Sequence, residues 1–144
     1  MGEVTQIDAY KNNKYQMIFN TSSKLHIIDI LGKEIDGYPL DFSYSATNSV
    51  SILDYDNNKD YRFLIAGDDY KIHNYNVEGL GVLGWTYPKV KSKVDRPILY
   101  FAINGLDYIM TKEENGTIKL FNRRGGERYN CLLYTSPSPR DPWK

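Results

Sequence analysis

The sequence holds a single cysteine, Cys131, among 144 residues, so no disulfide can form within the chain and the redox compartment stays open. It has no excess of charge: 18 Lys and Arg balance 18 Asp and Glu. That excludes a partner chosen by bulk electrostatics, such as duplex nucleic acid or an anionic membrane. No apolar run approaches the roughly 18 residues of a membrane-spanning helix. The stretch from Met1 to Ile7 lacks the charged-then-apolar pattern of a signal peptide. Nor does any segment carry an amphipathic helical period. Aromatics, by contrast, are plentiful: thirteen Tyr, five Phe and two Trp, a supply that favours strands.

Laid on itself, the chain repeats. Tyr15, Tyr61 and Tyr108 step by 46 and 47 residues, and Leu25, Ile72 and Ile118 by 47 and 46. Gly32, Gly79 and Gly125 keep the same period, as do Asp29, Asn76 and Asn122. Self-similarity at this period is the mark of a stacked repeat architecture. The units run over residues 4–48, 49–95 and 96–130, the third partial, followed by a non-repeat tail at 131–144.

Each unit is expected to hold four short strands. In the second unit these are Val50 to Tyr55, Tyr61 to Ala66, Tyr70 to Asn76 and Val82 to Tyr87, the last stopped by Pro88. Asp56 to Lys59, Gly67 to Asp69 and Glu78-Gly79 are the turns, and Asn115-Gly116 is read as the third unit's counterpart of Glu78-Gly79. The expected fold is all-β: tandem four-stranded antiparallel blades, about three blades of an incomplete β-propeller. A lone four-stranded sheet cannot bury both faces, so blades must pack on one another. An aromatic burying roughly 150–250 Å² at about 25 cal/mol per Å² contributes at most about 4–6 kcal/mol to such an interface. Closed propellers use about four to eight blades, so the chain is expected to be a fragment, partnered by the remaining blades of its parent.

The stretch from Ile28 to Pro39, with Asp29, Gly32, Gly37, Tyr38 and Pro39, is similar to the Asp-x-x-Gly-x-x-x-x-Gly-aromatic-Pro signature of bacterial FG-GAP and quinoprotein-like propeller repeats. The second unit keeps it loosely in Asn76, Gly79, Gly84, Trp85 and Pro88, and the third keeps Asn122 and Gly125. The resemblance implies a propeller fold, roles in adhesion and assembly, a quinone cofactor in a minority of members, and a lean toward an extracytoplasmic location. The tail departs from the repeat. Leu132 to Asp141 resembles translated sequencing-adaptor read-through, and three of the six prolines, Pro137, Pro139 and Pro142, fall in the last eight residues; the alternative is a natural Ser/Pro linker.

The candidate sites are few. Asp54, Asp56, Asn58 and Asp60 place four side-chain oxygens at alternate positions, the spacing that opens a calcium loop, as in FG-GAP repeats. Lys59 stands where such a loop bends at glycine, and Ile65 where a closing Glu belongs, so a solvated turn is the preferred reading. The first unit aligns Asp8, Tyr10, Asn12 and Lys14 there, and the third Phe101, Ile103, Gly105 and Asp107. Gly79-Leu80-Gly81-Val82-Leu83-Gly84 is formally a dinucleotide fingerprint, but Trp85 to Pro88 follows it where a helix is required. His26 and His73 are repeat-equivalent, with Lys119 third, and lack a further ligand for zinc. Neither belongs to a nucleophile motif. Lys89, Lys91, Lys93 and Arg96 read as a solvated connector, and Asn115-Gly116-Thr117 as a hairpin turn before a glycosylation triplet.

No catalytic residue and no cofactor is expected beyond the calcium candidate. The expected function is a non-enzymatic binding or scaffolding module for a protein or glycan partner. The alternative is a piece of a quinone-dependent or hydrolytic propeller enzyme whose active site lies in missing blades.

Overall fold

A computed structural model describes residues 4–128 of the chain; Cys131, Trp143 and the whole of the tail at 131–144 lie outside the described residues. Those described form three antiparallel sheets in chain order and no helix. The first sheet holds β1 (Thr5–Ile7), β2 (Gln16–Asn20), β3 (Lys24–Ile28) and β4 (Leu40–Asp41). The second holds β5 (Ser51–Leu53), β6 (Arg62–Ala66) and β7 (Ile72–Tyr75), the third β8 (Leu99–Ile103), β9 (Leu106–Lys112) and β10 (Ile118–Phe121). Each is a meander with sequential neighbours paired.

The period seen in the sequence is a period of hydrogen bonds. Ile18 pairs with Ile27, Leu64 with Asn74 and Met110 with Leu120. One residue over, Met17 pairs with Ile28, Phe63 with Tyr75 and Ile109 with Phe121. After the third strand of each unit the chain turns on one device. The side-chain oxygens of Asp29, Asn76 and Asn122 each accept the N–H groups two and four residues on, at 2.9–3.0 Å. Gly32, Gly79 and Gly125 each follow three residues later at φ +82°, +82° and +86°, a region costly to residues with a Cβ.

This device supplies a controlled comparison. A Cβ on Gly32 would meet nothing within 4 Å, whereas one on Gly125 would lie 2.8 Å from Thr86 Oγ1 and 2.9 Å from Pro88 Cδ. Gly32→Ala is therefore expected to cost only the left-handed strain, about 1–2 kcal/mol. Gly125→Ala adds an overpacking cost of about 1–3 kcal/mol. Urea denaturation of the two variants checks the difference.

Two expectations are corrected. Among the described residues only the first unit has a fourth strand, the two-residue β4. Val82 to Tyr87 holds a turn at Leu83-Gly84 and no ladder, and is flanked by isolated bridges, Tyr75 to Gly81 and Lys71 to Lys89. Gly84 at φ 81° and Tyr87 at φ 51° break the extended backbone, and Pro88 has no N–H to donate. Second, Asn115-Gly116 joins β9 to β10, which makes it the counterpart of the turn at Gly67–Tyr70; Gly67 N donates to Lys71 O and Glu113 N to Thr117 O. Tyr70, at φ 60°, stands where the third unit has Gly116.

Alternation along each strand gives every sheet two faces. The face of sheet one carrying Ile18, Leu25 and Ile27 packs with Phe63 and Ile65 of sheet two. The opposite face of sheet two, with Leu53, Leu64 and Ile72, packs with Ile109 and Phe121 of sheet three. Trp85, Val90, Val94 and Ile98 of the connector close this second seam, and the Trp85 indole N–H donates to Ile72 O at 2.8 Å. Both faces of β6 are thus buried, which is why Phe63 to Ala66 runs apolar without alternation.

Equivalent residues one repeat apart touch across the seams. Thr47 Oγ1 donates to Val94 O at 2.7 Å and Ile98 N to Ser51 Oγ at 2.9 Å, each pair 47 residues apart.

Candidate functional site

The loops between the first two strands of units one and two are copies of one another. Asp8 accepts the N–H groups of Asn12 and Asn13, and Asp54 those of Asn58 and Lys59. Asn12 then accepts Lys14 N, and Asn58 accepts Asp60 N. Lys11 and Asn57 take positive φ at 57° and 54°, Asn13 and Lys59 at 62° and 66°. The third unit has no such loop. Its strands extend and close directly over Asn104-Gly105, both at positive φ, a hairpin signal present in the sequence beside the better-placed Asn115-Gly116.

These loops reach across the first seam. Lys59 Nζ donates to the buried Asp8 carboxylate at 2.7 Å and to Asn13 Oδ1 at 3.3 Å, while Lys11 Nζ returns to Asp60 at 2.7 Å. At the second seam Arg123 binds Asp107, approaches Asp56 at 3.5 Å and lies 4.6 Å over the Tyr55 ring. Two clefts open beside these bridges at equivalent places. The first, about 530 Å³, is lined by Tyr10, Lys11, Asp36, Lys59, Asp60 and Glu78 among others. The second, about 230 Å³, is lined by Tyr55, Asp56, Arg62, Leu83, Arg123 and Arg124 among others. Tyr10, Asp36 and Glu78 of the first occupy the repeat positions of Asp56, Leu83 and Arg124 of the second.

The calcium candidates have protein partners. Asp54 is occupied by backbone N–H groups, Asn58 Nδ2 donates to Asp60 Oδ2, Asp60 Oδ1 holds Lys11, and Asp56 faces Arg123. Among the described residues no three His, Cys, Asp or Glu are grouped so as to hold a metal ion. Calorimetric titration with millimolar calcium is expected to give no saturable heat, since binding would have to displace these donors.

The Lys59 ammonium, with the Asn12 and Asn13 amides, holds the Asp8 carboxyl below the usual carboxylate range against the effect of burial, and Lys11 does the same to Asp60. A carboxyl with a depressed folded-state pKa contributes stability above its unfolded value of about 4, and that contribution is lost as pH falls through the folded value. His73, pushed below its ordinary range by burial, acts with the same sign. Acidification is therefore expected to loosen the first seam. Urea midpoints followed from about pH 6 to about pH 3 should fall in the native chain and fall less steeply in Asp8→Asn, which starts lower.

The histidines are structural. His26 pairs with Glu34 and stacks on Phe19, whereas His73 meets Asp69 at 2.9 Å and stacks on Tyr44 with ring centroids 3.7 Å apart. Gly79 and Gly84 of the formal fingerprint are turn residues. In the basic connector, Lys91 N and Ser92 N donate to the buried Glu113 carboxylate at 2.9 Å. Several buried polar groups lack partners among the described residues: Tyr55 OH, both amide atoms of Asn74, Thr111 Oγ1 and Glu113 Oε2. Register gave no hint of them, because each sits where a repeat neighbour carries something else. No protein-family model matches the chain, and no curated protein or solved structure is significantly similar to it.

Proposed function

We propose that the chain is a non-enzymatic binding or scaffolding segment of a β-propeller-like array, offering the clefts between its sheets to a protein or glycan partner. The arrangement of sheets as blades is supported by the cross-seam bonds between residues one repeat apart, Thr47 to Val94 and Ser51 to Ile98. One observation carries the binding reading. The two clefts share a backbone frame at three equivalent positions, although the loop that brings Lys59 and Asp60 to the first has no counterpart in the third unit, and their linings differ there in charge and polarity: Tyr10 and Asp56, Asp36 and Leu83, Glu78 and Arg124. A frame that stays constant while its lining varies is how repeat proteins diversify a binding surface. Leu83 is 98% exposed at the second cleft, so altering it leaves the core untouched.

The test is a screen of the full chain against arrays of neutral and acidic oligosaccharides and of peptides, repeated with Leu83→Asp and Glu78→Lys. The expected result is a ligand retained unchanged by the protein, with affinity reduced at least about tenfold in one variant, the equivalent of about 1.4 kcal/mol. Turnover of the ligand, or binding insensitive to both substitutions, would overturn the reading.

A further inference from the structure

The two clefts are neighbours, for Asp60 lines both. In each, ion pairs within the chain neutralise part of the charge. Lys11 of the first is held by Asp60 and Lys59 by Asp8. What remains there is anionic: Asp36 and Glu78 are exposed, and neither carboxylate has a partner among the described residues. The exposed Tyr10 ring lines the same cleft, and an aromatic face with free carboxylates receives an ammonium or guanidinium. In the second cleft Arg123 pairs with Asp107 and Asp56, so what remains is cationic. Arg124 is exposed, and its guanidinium has no partner among the described residues. Arg62 donates through Nη1 to the Asp60 and Tyr61 carbonyls, which leaves its other nitrogens for a carboxylate. Glu78 and Arg124 are repeat-equivalent, so the uncompensated charge reverses sign from one cleft to the next.

We propose that the two clefts together take one extended peptide, with a basic side chain in the first and an acidic side chain in the second. This assignment rests on the clefts being ligand sites and names their occupant. Opposite charges in adjoining clefts favour a peptide over a glycan, because peptides carry both signs a few residues apart whereas acidic glycans repeat one. The exposed Leu83 adds an apolar contact at the second cleft for a neighbouring peptide side chain. The aromatic of that cleft, Tyr55, lies under Arg123 and against the core, which leaves no open face for a sugar ring. The spacing of the two charges follows from the stacking. Packed sheets lie about 10 Å apart. A polyproline-II chain returns to the same face every third residue after about 9 Å, so the basic and acidic residues belong at i and i+3.

Fluorescence anisotropy of the full chain with labelled Gly/Ser/Pro peptides tests it, each peptide carrying one Lys and one Glu at separations of two, three and four residues in both orders. The native chain is expected to bind most tightly at i, i+3 in one of the two orders. Peptides with two Lys or two Glu at that spacing should bind at least about tenfold more weakly. Reversing charge at exposed sites should then switch the preference: Asp36→Lys with Glu78→Lys toward the peptide with two Glu, and Arg124→Glu toward the peptide with two Lys. A switch of preference is a gain that a damaged fold does not produce. Peptide binding indifferent to spacing and to the charge pair, or charge reversals that weaken every peptide alike, would overturn the proposal. Retention of oligosaccharides and of no peptide would overturn it too, while leaving the clefts as ligand sites. A chain that retains neither overturns both readings.

Discussion

Phe63→Ala is expected to cost about 3–5 kcal/mol, whereas Met17→Ala, at the same strand position one repeat earlier, should cost less than about 1 kcal/mol. Both residues lie in the second strand of a meander, and both pair with the third strand, Phe63 with Tyr75 and Met17 with Ile28. Local structure is therefore matched, and what differs is the neighbour. Phe63 is fully buried because Ile7, Ile18, Leu25 and Ile27 of sheet one lie against it; Met17 faces outward. Urea denaturation of the two variants measures the seam itself, separated from strand propensity. Comparable losses at the two sites would mean that the sheets do not depend on stacking, and the account of the array would fail. A loss of several kcal/mol is a large part of the roughly 5–15 kcal/mol that holds a typical domain folded. Phe63→Ala is thus the variant most apt to unfold the chain.

Much of this fold could be read from residue spacing, because the period reports which positions play the same structural part. Asp29, Asn76 and Asn122 recur because each must accept two backbone N–H groups, and the glycine three residues on recurs because the chain must turn left-handed there. The all-β class follows from the same regularity. The fourth strand did not survive at Val82 to Tyr87, since an apolar run predicts burial and Trp85 is buried without being extended in a ladder. Asn104-Gly105 is hard to read from the period because aligning the third unit on Tyr108 lays it over loops six residues longer. The candidate site was less legible. Alternate oxygens at Asp54, Asp56, Asn58 and Asp60 suggest a cation, but in the first two units the Asp at the head of the loop is there to accept the loop's own amides. Lys59, which spacing marks only as a departure from glycine, takes the left-handed backbone and supplies the charge that the buried Asp8 needs from 51 residues away. Periodicity identifies equivalent residues; it does not identify partners across a seam.

Asn74 marks the place where the repeat breaks its own rule, and Asn74→Leu is expected to stabilise the chain by about 1–3 kcal/mol. Its counterparts are Ile27 and Leu120, each facing an aliphatic partner strand to strand, as Asn74 faces Leu64. Asn74 is buried, and neither its amide nitrogen nor its amide oxygen has a partner. An amide that leaves water without recovering its hydrogen bonds destabilises the folded state, and an aliphatic residue of similar shape removes that cost. Leucine keeps the branched shape but its methyls are bulkier than the amide atoms; the equivalent sites already hold branched aliphatics, so overpacking should offset only part of the gain. The same seam carries two more unpartnered hydroxyls, Tyr55 OH on the Asn74 side and Thr111 Oγ1 on the facing sheet. Combining Asn74→Leu with Thr111→Val separates the possibilities. If the groups are independent, the two gains add; if they share hydrogen bonds in solution, each single substitution strands the other group and only the double variant recovers stability. A loss of stability in both the single and the double variant would show that the amide is bonded within the seam by some other group, and the reading of Asn74 as a misfit in an otherwise aliphatic series would be wrong.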